Sequence, residues 1–320
     1  MDVTVIICTW NRPKTLAATL TSLEASVVSP GIEWEVLVVD NNSTDDTRRV
    51  CESFVEKDPR RYRYLFEGKK GKTHALNAGI REAHGEILAL TDDDVTVDPS
   101  WVAQIYDAFQ RYECAAVGGK IIPVWNCKRP SWIEFDGPFR HVAYGAIVNF
   151  DKGDSPCLLT AAAAGANMGL RRLITEKYGP YRTDLNRVEN LLGGEDTEYC
   201  RRLLHAGEKL MYAPQAIVYH PVEEHRTKRS YIQSMAFHYG RWTVRIEGVP
   251  ERAKCYLGVP RYLFPIAAKF LGKWLTAFGA KRRSFYRLEF CQTVGQMVES
   301  KRWLKNRQVQ TSLRSPNPAK

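Results

Sequence analysis

Apolar runs rich in β-branched residues alternate with helical patterns through the first hundred residues of the chain. Each run has the length of a strand, and the segment after it repeats its apolar positions at helical spacing. The pattern predicts strands at 3–8, 36–39, 62–66 and 86–90, with helices after Pro13, from the STDDT segment at 43–47 and at 72–83. Ser43 or Thr44 is expected to cap the second helix. Strands separated by helices are typical of a parallel sheet covered on both faces, so the predicted fold class is α/β.

Polar residues follow three of these strands at the point where each strand ends. They are Thr9 to Arg12, Asp40 to Ser43, and Asp92 to Asp94. Ligands of open α/β sheets bind beyond the carboxyl ends of the strands. We therefore expect the three groups to meet in one crevice.

The third group, Asp92, Asp93 and Asp94, holds three carboxylates close together. Such a cluster is unfavourable unless a cation neutralises it, and carboxylate oxygens suit Mg²⁺ or Mn²⁺. The alternative interpretation is an acidic turn, with Asp98 and Pro99 leading into a helix.

Two glycine-containing motifs present further charged residues. The segment GKKGKTHALNAGI resembles a phosphate-binding loop, but Phe66 stands where that motif requires its first glycine. It can still attract phosphates at a helix start, or it is a solvated turn. In GGEDTEYCRRLLHAG, Glu195 and Asp196 open an amphipathic helix. There a carboxylate can act as a general base, or the two acids merely complement the helix dipole.

The pattern is less regular from about 99 to 225. It predicts a helix at 101–112, a break at Gly118 and Gly119, and a loop at 123–138. A run of small residues at 160–169, TAAAAGANMG, permits close approach of the backbone or tight packing of the core.

Composition and charge divide the chain unevenly. Its 320 residues are 44% apolar and 26% charged, as in ordinary globular proteins. The net charge of +10 belongs to the last third, since residues 226–320 hold 20 Lys and Arg against 4 Asp and Glu. The eight cysteines lack the spacing of a metal site, and free thiols are typical of the reducing cytosol.

An amphipathic helix is predicted at 262–280, within the basic region. Its apolar side carries Leu263, Ile266, Phe270, Trp274 and Phe278. Lysines and Pro265 interrupt the segment, and it falls short of the roughly 20 apolar residues that span a bilayer. The helix either lies in an anionic membrane interface or packs on the rest of the protein, since both arrangements need the same amphipathicity.

Seven motifs in order give the chain a resemblance to family 2 of the glycosyltransferases. They are TWNRP, VVDNNSTDDT, GKTHALNAGI, LALTDDDV, GANMGLRR, GGEDTEYCRRLLHAG and AIVYH. The resemblance implies a GT-A fold, a Rossmann-like mixed or parallel sheet flanked by helices, here with a C-terminal basic helical extension. It implies a catalytic domain at 1–225, with a nucleotide-sugar half to about 98 and an acceptor half beyond. A basic helical region at 226–308 and a disordered tail at 309–320 would follow.

The resemblance also implies a reaction and roles for individual residues. A sugar would pass from a nucleotide sugar, most often a UDP-sugar, to the hydroxyl of a glycan or lipid-linked acceptor, with inversion. The implied roles are a general base at Asp196; acceptor contacts at Gly194 and Glu195; nucleotide contacts at Thr9, Asn11, Arg12, Asp40, Asn42, Lys72, Asp92 and Asp93; and a divalent cation, Mn²⁺ or Mg²⁺, at Asp92, Asp94 and His220. His220 is alternatively a plain histidine at a strand end before Pro221.

Two other functions remain open at this point. A sugar-nucleotide pyrophosphorylase would share the sheet and the acidic site, but it is expected to carry a Gly-rich loop where this chain has TWNRPKT. A nucleic-acid-binding protein would use the basic region, although no recognised binding motif is present and we expect no nucleic-acid partner. HYGRW at 238–242 lacks the glutamine of processive synthases. We expect a cytoplasmic enzyme, peripheral at the inner face of the cytoplasmic membrane.

Overall fold

The computed structural model describes residues 1–135, 137–140, 146–185 and 193–314, with side chains as far as residue 306. The strands are β1 Val3–Thr9, β2 Trp34–Asp40, β3 Tyr62–Phe66, β4 Ile87–Asp92, β5 Thr96–Val97, β6 Ala116–Trp125, β7 Cys157–Leu158, β8 Asn167–Arg171, β9 Leu210–Val222, β10 Cys255–Tyr256 and β11 Val259–Pro260. The helices are α1 Pro13–Glu24, α2 Thr47–Lys57, α3 Lys72–Glu82, α4 Trp101–Arg111, α5 Arg172–Tyr178, α6 Glu195–His205, α7 Arg229–Glu247, α8 Leu263–Thr276 and α9 Ala280–Arg314.

A mixed sheet organises the first part of the chain. Its order is β3-β2-β1-β4-β8-β6-β9-β5, with β7 added beside β9. Strands β1 to β4 are parallel, β8 is antiparallel to both of its neighbours, and β6 runs parallel to β9. Helices flank this sheet, so the predicted α/β class is confirmed.

Both faces of the central strands are buried, which explains their unbroken apolar runs. In β1, Val5 and Ile7 belong to the layer that contains Leu16 of α1 and Ile105 of α4. Ile6 points the other way, into the layer that contains residues of α3 and α6. The alternation has the period of two that a strand imposes.

The predicted break at Gly118 and Gly119 and the predicted start of a loop at Pro123 are wrong, because strand β6 includes all three residues. The strand is continuous from Ala116 to Trp125, and its register against β9 shifts between Gly119 and Lys120. A Cβ on Gly119 would lie 2.4 Å from both the carbonyl oxygen of Ala216 and the side chain of Asn167. The glycine therefore permits a close approach at a bulge and does not end the strand.

The expected cap of the second helix is also wrong. Helix α2 begins at Thr47, three residues beyond Thr44. Ser43 instead donates its backbone N–H to Asp40 and accepts the N–H of Asn11. The backbone N–H of Thr44 donates to the side-chain oxygen of Asn11. Ser43 and Thr44 therefore connect the loop after β2 to the loop after β1.

The chain forms two compact units by its internal contacts. The sheet unit comprises residues 1–125 and 148–222, and the helical unit comprises 126–147 and 223–320. The functional division after residue 225 stays a prediction. Helix α9 runs to Arg314, inside the predicted tail at 309–320, whose last six residues lie outside the described part of the chain.

Two glycines allow a close crossing of helices in the helical unit. A Cβ on Gly240 of α7 would lie 1.9 Å from the carbonyl oxygen of Gln292 of α9, and one on Gly295 would lie 2.0 Å from that of Phe237. Among the described residues, no helix combines the length and the apolar character needed to cross a membrane.

Candidate functional site

The carboxyl ends of β2, β1 and β4 lie side by side. Thr9 of β1 is the register partner of Asp40, and Cys8 is the partner of Asp92. The three polar groups that follow these strands are therefore neighbours along one edge of the sheet, as the strand order requires.

Basic side chains at the starts of two helices, α1 and α3, pair with the acidic cluster. Nη1 of Arg12 lies 3.0 Å from Oδ1 of Asp93 and 3.1 Å from Oδ2 of Asp94. Nζ of Lys72 lies 2.6 Å from Oδ1 of Asp92. The hydroxyl of Thr9 donates to Oδ2 of Asp93 at 2.7 Å. The negative charge of the cluster is thus offset within the protein itself.

Burial and neighbouring charges shift the pKa values of Asp93 and Arg12. Burial raises the pKa of Asp93, because it outweighs the charge of Arg12 and the hydrogen bond from Thr9. Burial lowers the pKa of Arg12, but the charges of Asp93 and Asp94 raise it above its ordinary value. The arginine therefore keeps its charge in this position.

Asp92, Asp94 and His220 bring three metal-ligand atoms together. One ligand atom from each lies within 4.8 Å of the others, and Nε2 of His220 is 3.7 Å from Oδ1 of Asp94. Nδ1 of His220 lies 3.1 Å from the carbonyl oxygen of Pro221, to which it donates in the tautomer that carries its proton on Nδ1. Nε2 is then free to offer its lone pair. Two carboxylates and an oriented imidazole fit a divalent cation.

Asp40 lies two strands away from the cluster, with β1 between them, and is directed at other groups. Its carboxylate accepts the N–H of Ser43 at 2.9 Å and the hydroxyl of Tyr64 at 3.0 Å. Asn11 and Asn42 flank it with positive φ angles of 51° and 65°, a conformation that asparagine tolerates better than most residues. The two loops are therefore tightly turned at the edge of the sheet.

Asn41 is a positioning residue that sequence reasoning missed. Its side chain donates to the carbonyl oxygen of Lys69 at 2.7 Å and accepts the N–H of Gly71 at 2.7 Å. This holds the loop that brings Lys72 to Asp92. In the sequence nothing separates Asn41 from Asn42 beside it, since the distinction depends on which side chain turns inward.

The start of α6 fixes the second acidic pair. Gly193 and Gly194 have φ angles of 78° and 108°, so the chain turns sharply just before Glu195. Oδ2 of Asp196 accepts the N–H of Gly165 at 2.8 Å, and a Cβ on Gly165 would lie 3.0 Å from that oxygen. The run of small residues therefore permits a close approach to this carboxylate, and Gly165 is a second residue whose part was missed.

A cavity joins the two charged regions. It has a volume of about 20 Å³, enough for roughly one water molecule, and is lined by Lys72, Glu195 and Asp196. Its apolar floor includes Cys8, whose thiol pKa burial raises to about 12, so that this cysteine stays a neutral thiol. The site residues expected from the sequence thus fall into three places: the cluster with its basic partners, the Asp40 loops beside it, and the start of α6.

Comparison with known proteins identifies the family to which the chain is similar. The model of glycosyl transferase family 2 matches residues 4–179, more than half of the chain. The glucosyl-dolichyl phosphate glucuronosyltransferase of Haloferax volcanii is 24% identical over 246 residues, which cover 75% of each chain. The succinoglycan biosynthesis protein ExoM of Rhizobium meliloti is 26% identical over 242 residues, 75% of this chain and 74% of that protein.

A solved structure extends the likeness to the fold. The mannosyltransferase PcManGT of Pyrobaculum calidifontis, solved with GDP-Man and Mn²⁺, is 20% identical and has a TM-score of 0.62. The match covers 95% of this chain and 88% of that one.

Proposed function

Because the chain belongs to glycosyltransferase family 2 and has the GT-A fold, we propose that it transfers a sugar from a nucleotide sugar to an acceptor hydroxyl, with inversion. The observation that carries the proposal is the small cavity lined by Lys72, Glu195 and Asp196, beside which Lys72 pairs with Asp92. A diphosphate needs charge compensation, and an attacking hydroxyl needs a base; this cavity adjoins groups suited to both.

The nucleotide binds along the edge of the sheet, with UDP as the proposed carrier. Asp40 accepts a hydrogen bond from the base, Thr9, Asn11 and Asn42 contact the nucleoside, and Arg12 and Lys72 contact the diphosphate. A carboxylate suits the N–H of uracil and also those of guanine. The solved mannosyltransferase binds GDP-Man, so GDP-Man is included among the donors to be tested.

Asp92, Asp94 and His220 would hold a divalent cation, and Asp93 orients Arg12 beside them. When bound, such a cation offsets negative charge that develops on the departing diphosphate. The proximity of the three ligand atoms supports the assignment, as does the Mn²⁺ of the structural neighbour.

Asp196 acts as the general base. The N–H of Gly165 and its own helix N-terminus hold its carboxylate at the cavity. It takes the proton of the acceptor hydroxyl as the oxygen attacks the anomeric carbon. Gly194 and Glu195 lie beside it and contact the acceptor, which we propose to be a glycan or a lipid-linked glycan.

A donor screen tests the proposal directly. The purified protein is mixed with UDP-sugars and GDP-Man, with Mn²⁺ or with EDTA, and its melting temperature and the release of nucleoside diphosphate are measured. One donor should stabilise the fold, by about 2.7 kcal/mol at a hundred times its Kd. NMR of the sugar first released by hydrolysis should show inverted anomeric configuration.

The same screen separates the competing functions. Release of UTP in the presence of pyrophosphate would identify a pyrophosphorylase, and stabilisation by RNA in place of any nucleotide sugar would identify a nucleic-acid-binding protein. For the cation, Asp94→Ala should abolish the stabilisation that Mn²⁺ adds, whereas Asp107→Ala on the outer face of α4 should not. Equal activity in Mn²⁺ and EDTA would refute the metal assignment.

A further inference from the structure

One face of α8 carries a row of apolar side chains, all of them exposed except Leu271, which is half-buried. Phe264, Ala268, Leu271 and Leu275 recur at helical spacing and lie on one side of the helix. Another side packs on α9, where the ring of Trp274 lies 6.0 Å from that of Phe290. Leu275 is 66% exposed, although an ordinary soluble helix turns its apolar row inward.

The hairpin of β10 and β11 extends this apolar row. The ring of Tyr256 lies 6.3 Å from that of Phe264, and Leu257 at the tip of the hairpin is 73% exposed. Leu257 has a φ angle of 49°, a conformation that a branched side chain rarely adopts. The backbone is therefore held in an unfavourable form that presents a leucine to the outside.

The concentration of such side chains is specific to this region. Of the 14 large apolar side chains that are exposed in the described part of the chain, seven lie between residues 256 and 278. These seven are Tyr256, Leu257, Tyr262, Phe264, Ile266, Leu275 and Phe278. Single exposed apolar residues are normal, but a cluster marks a surface that meets another apolar phase.

The charges carried by this segment of the chain have one sign, although one of them, on Lys281, pairs with Glu134 from elsewhere in the unit. Between residues 252 and 288 the chain has no Asp or Glu and nine basic residues. They are Arg252, Lys254, Arg261, Lys269, Lys273, Lys281, Arg282, Arg283 and Arg287. A surface of this kind is complementary to an anionic one, and two copies of it would repel each other.

We propose that this region, the α8 surface, binds an anionic lipid bilayer and lies in its interface. We define the α8 surface as the exposed apolar side chains of residues 256–278 together with the nine basic residues. Helix α8 has 14 residues, too few to span the roughly 20-residue thickness of a bilayer. Exposed apolar groups with basic residues around them are typical of interfacial binding. The inference does not depend on the proposed sugar transfer.

Vesicle flotation of the full chain tests the apolar part. Vesicles of phosphatidylcholine alone are compared with vesicles that contain 30% phosphatidylglycerol, a proportion of roughly the order found at anionic bilayer surfaces. The triple variant Leu257→Ser, Leu275→Ser, Phe278→Ser should bind anionic vesicles at least tenfold more weakly, because buried apolar area drives insertion. The matched control is Val27→Ser, Leu158→Ser, Leu173→Ser, at side chains that are equally exposed elsewhere and should bind like the wild type.

A second pair of variants tests the charge. Arg252→Gln, Arg261→Gln, Arg283→Gln should weaken binding by up to about a hundredfold, since each basic side chain near an anionic surface contributes about fivefold. The control is Arg49→Gln, Arg60→Gln, Arg111→Gln, which removes three exposed charges from the sheet unit. Circular dichroism checks that all four variants fold.

Several results would overturn the proposal. One is a wild type that does not float with anionic vesicles, or that floats equally well with neutral ones. A second is loss of binding in the basic variant alone, which would indicate a general polyanion site. A third is an apolar variant that still binds vesicles but changes from dimer to monomer in sedimentation, which would indicate an interface between copies of the chain.

Discussion

The sheet unit and the helical unit both join carboxylates to arginines, but in different surroundings. At the edge of the sheet, Arg12 reaches Asp93 and Asp94 from a loop, and its side chain is 44% exposed. In the helical unit, Arg241 and Arg245 of α7 enclose Glu299 of α9, and the side chains of Arg241 and Glu299 are 6% and 5% exposed. The first arrangement can exchange partners with a ligand, whereas the second can only hold two helices together.

A buried ion pair is therefore not by itself a sign of a catalytic or binding site. What distinguishes the sheet edge is that its charged groups lie at strand ends and on loops, beside a cavity. Substitutions in the two units should therefore separate activity from stability.

The largest expected effect is on activity and comes from Asp196→Asn. Loss of a general base lowers turnover by about 10²- to 10⁴-fold, while the nucleotide sugar still binds and the melting temperature stays close to that of the wild type. Steady-state kinetics and thermal denaturation measure the two quantities. Glu198→Gln, two residues further along α6 and paired with Arg202, is the matched control and should retain turnover. An Asp196→Asn enzyme with normal turnover would remove the base assignment.

Glu299→Ala should lower the stability of the fold, in contrast to Asp196→Asn, which should lower turnover. It leaves Arg241 buried, and Arg245 partly buried, without their shared carboxylate; breaking a buried ion pair typically destabilises a protein by about 3–5 kcal/mol. Urea denaturation measures the loss, and Glu251→Ala, at an exposed carboxylate of the same unit, should change stability by less than about 0.5 kcal/mol. If Glu299→Ala unfolds at the same urea concentration as the wild type, the ion pair does not hold α7 to α9.

Gly240→Ala tests the close helix crossing with a smaller effect. Its new methyl group would lie 1.9 Å from a backbone oxygen of α9, so the helices must separate, at a cost of about 1–3 kcal/mol. Gly272→Ala on α8 is the control, because nothing lies within 4 Å of its Cβ position. There alanine should stabilise the helix by up to about 1 kcal/mol. Equal responses of the two variants to urea would contradict the crossing.

The smallest effect concerns a carboxylate of the sheet unit that lies at the amino-terminal end of its strand, away from the candidate site. Glu35 of β2 is buried, which raises its pKa, but hydrogen bonds from Thr4, the N–H of His84 and Arg63 lower it below the ordinary value. A lowered pKa stabilises the fold above the unfolded value of 4.5, and this stabilisation is lost as the pH falls through the lower folded value.

Glu35→Gln should therefore lose about 1 kcal/mol of stability at pH 7, and its difference from the wild type should shrink below about pH 4.5. Urea denaturation at pH 7, 5, 4 and 3.5 measures the trend. Turnover at pH 7 should be unchanged. A difference that grows on acidification would mean that the sign of the shift is wrong.

The first four strands and the polar residues after them could be predicted because their signals are local. A buried strand of a parallel sheet needs an apolar run, and the residues after it stand at the edge whatever the rest of the chain does. Strand β6 could not be recognised in this way. Two adjacent glycines indicate a break until it is known that Ala216 and Asn167 approach Gly119.

Other features depend on distant parts of the chain and have no local signal. Gly165 lies beside Asp196, 31 residues further along the chain. Gly240 of α7 contacts the backbone of Gln292 in α9, more than 50 residues further along the chain. A glycine that permits such an approach looks, in the sequence, like any glycine of a turn or helix. The roles of the site residues in binding and catalysis stay predictions.

The pairing of Lys72 and Arg12 with the three aspartates has a consequence for how the edge of the sheet responds to its surroundings. The three carboxylates at this edge are already paired with basic side chains of the protein. An incoming anion can take over the two basic side chains as a cation takes over the carboxylates, so the total charge there changes little. The binding of such an anion together with a cation at this edge should therefore depend less on ionic strength than the formal charges of the five residues suggest.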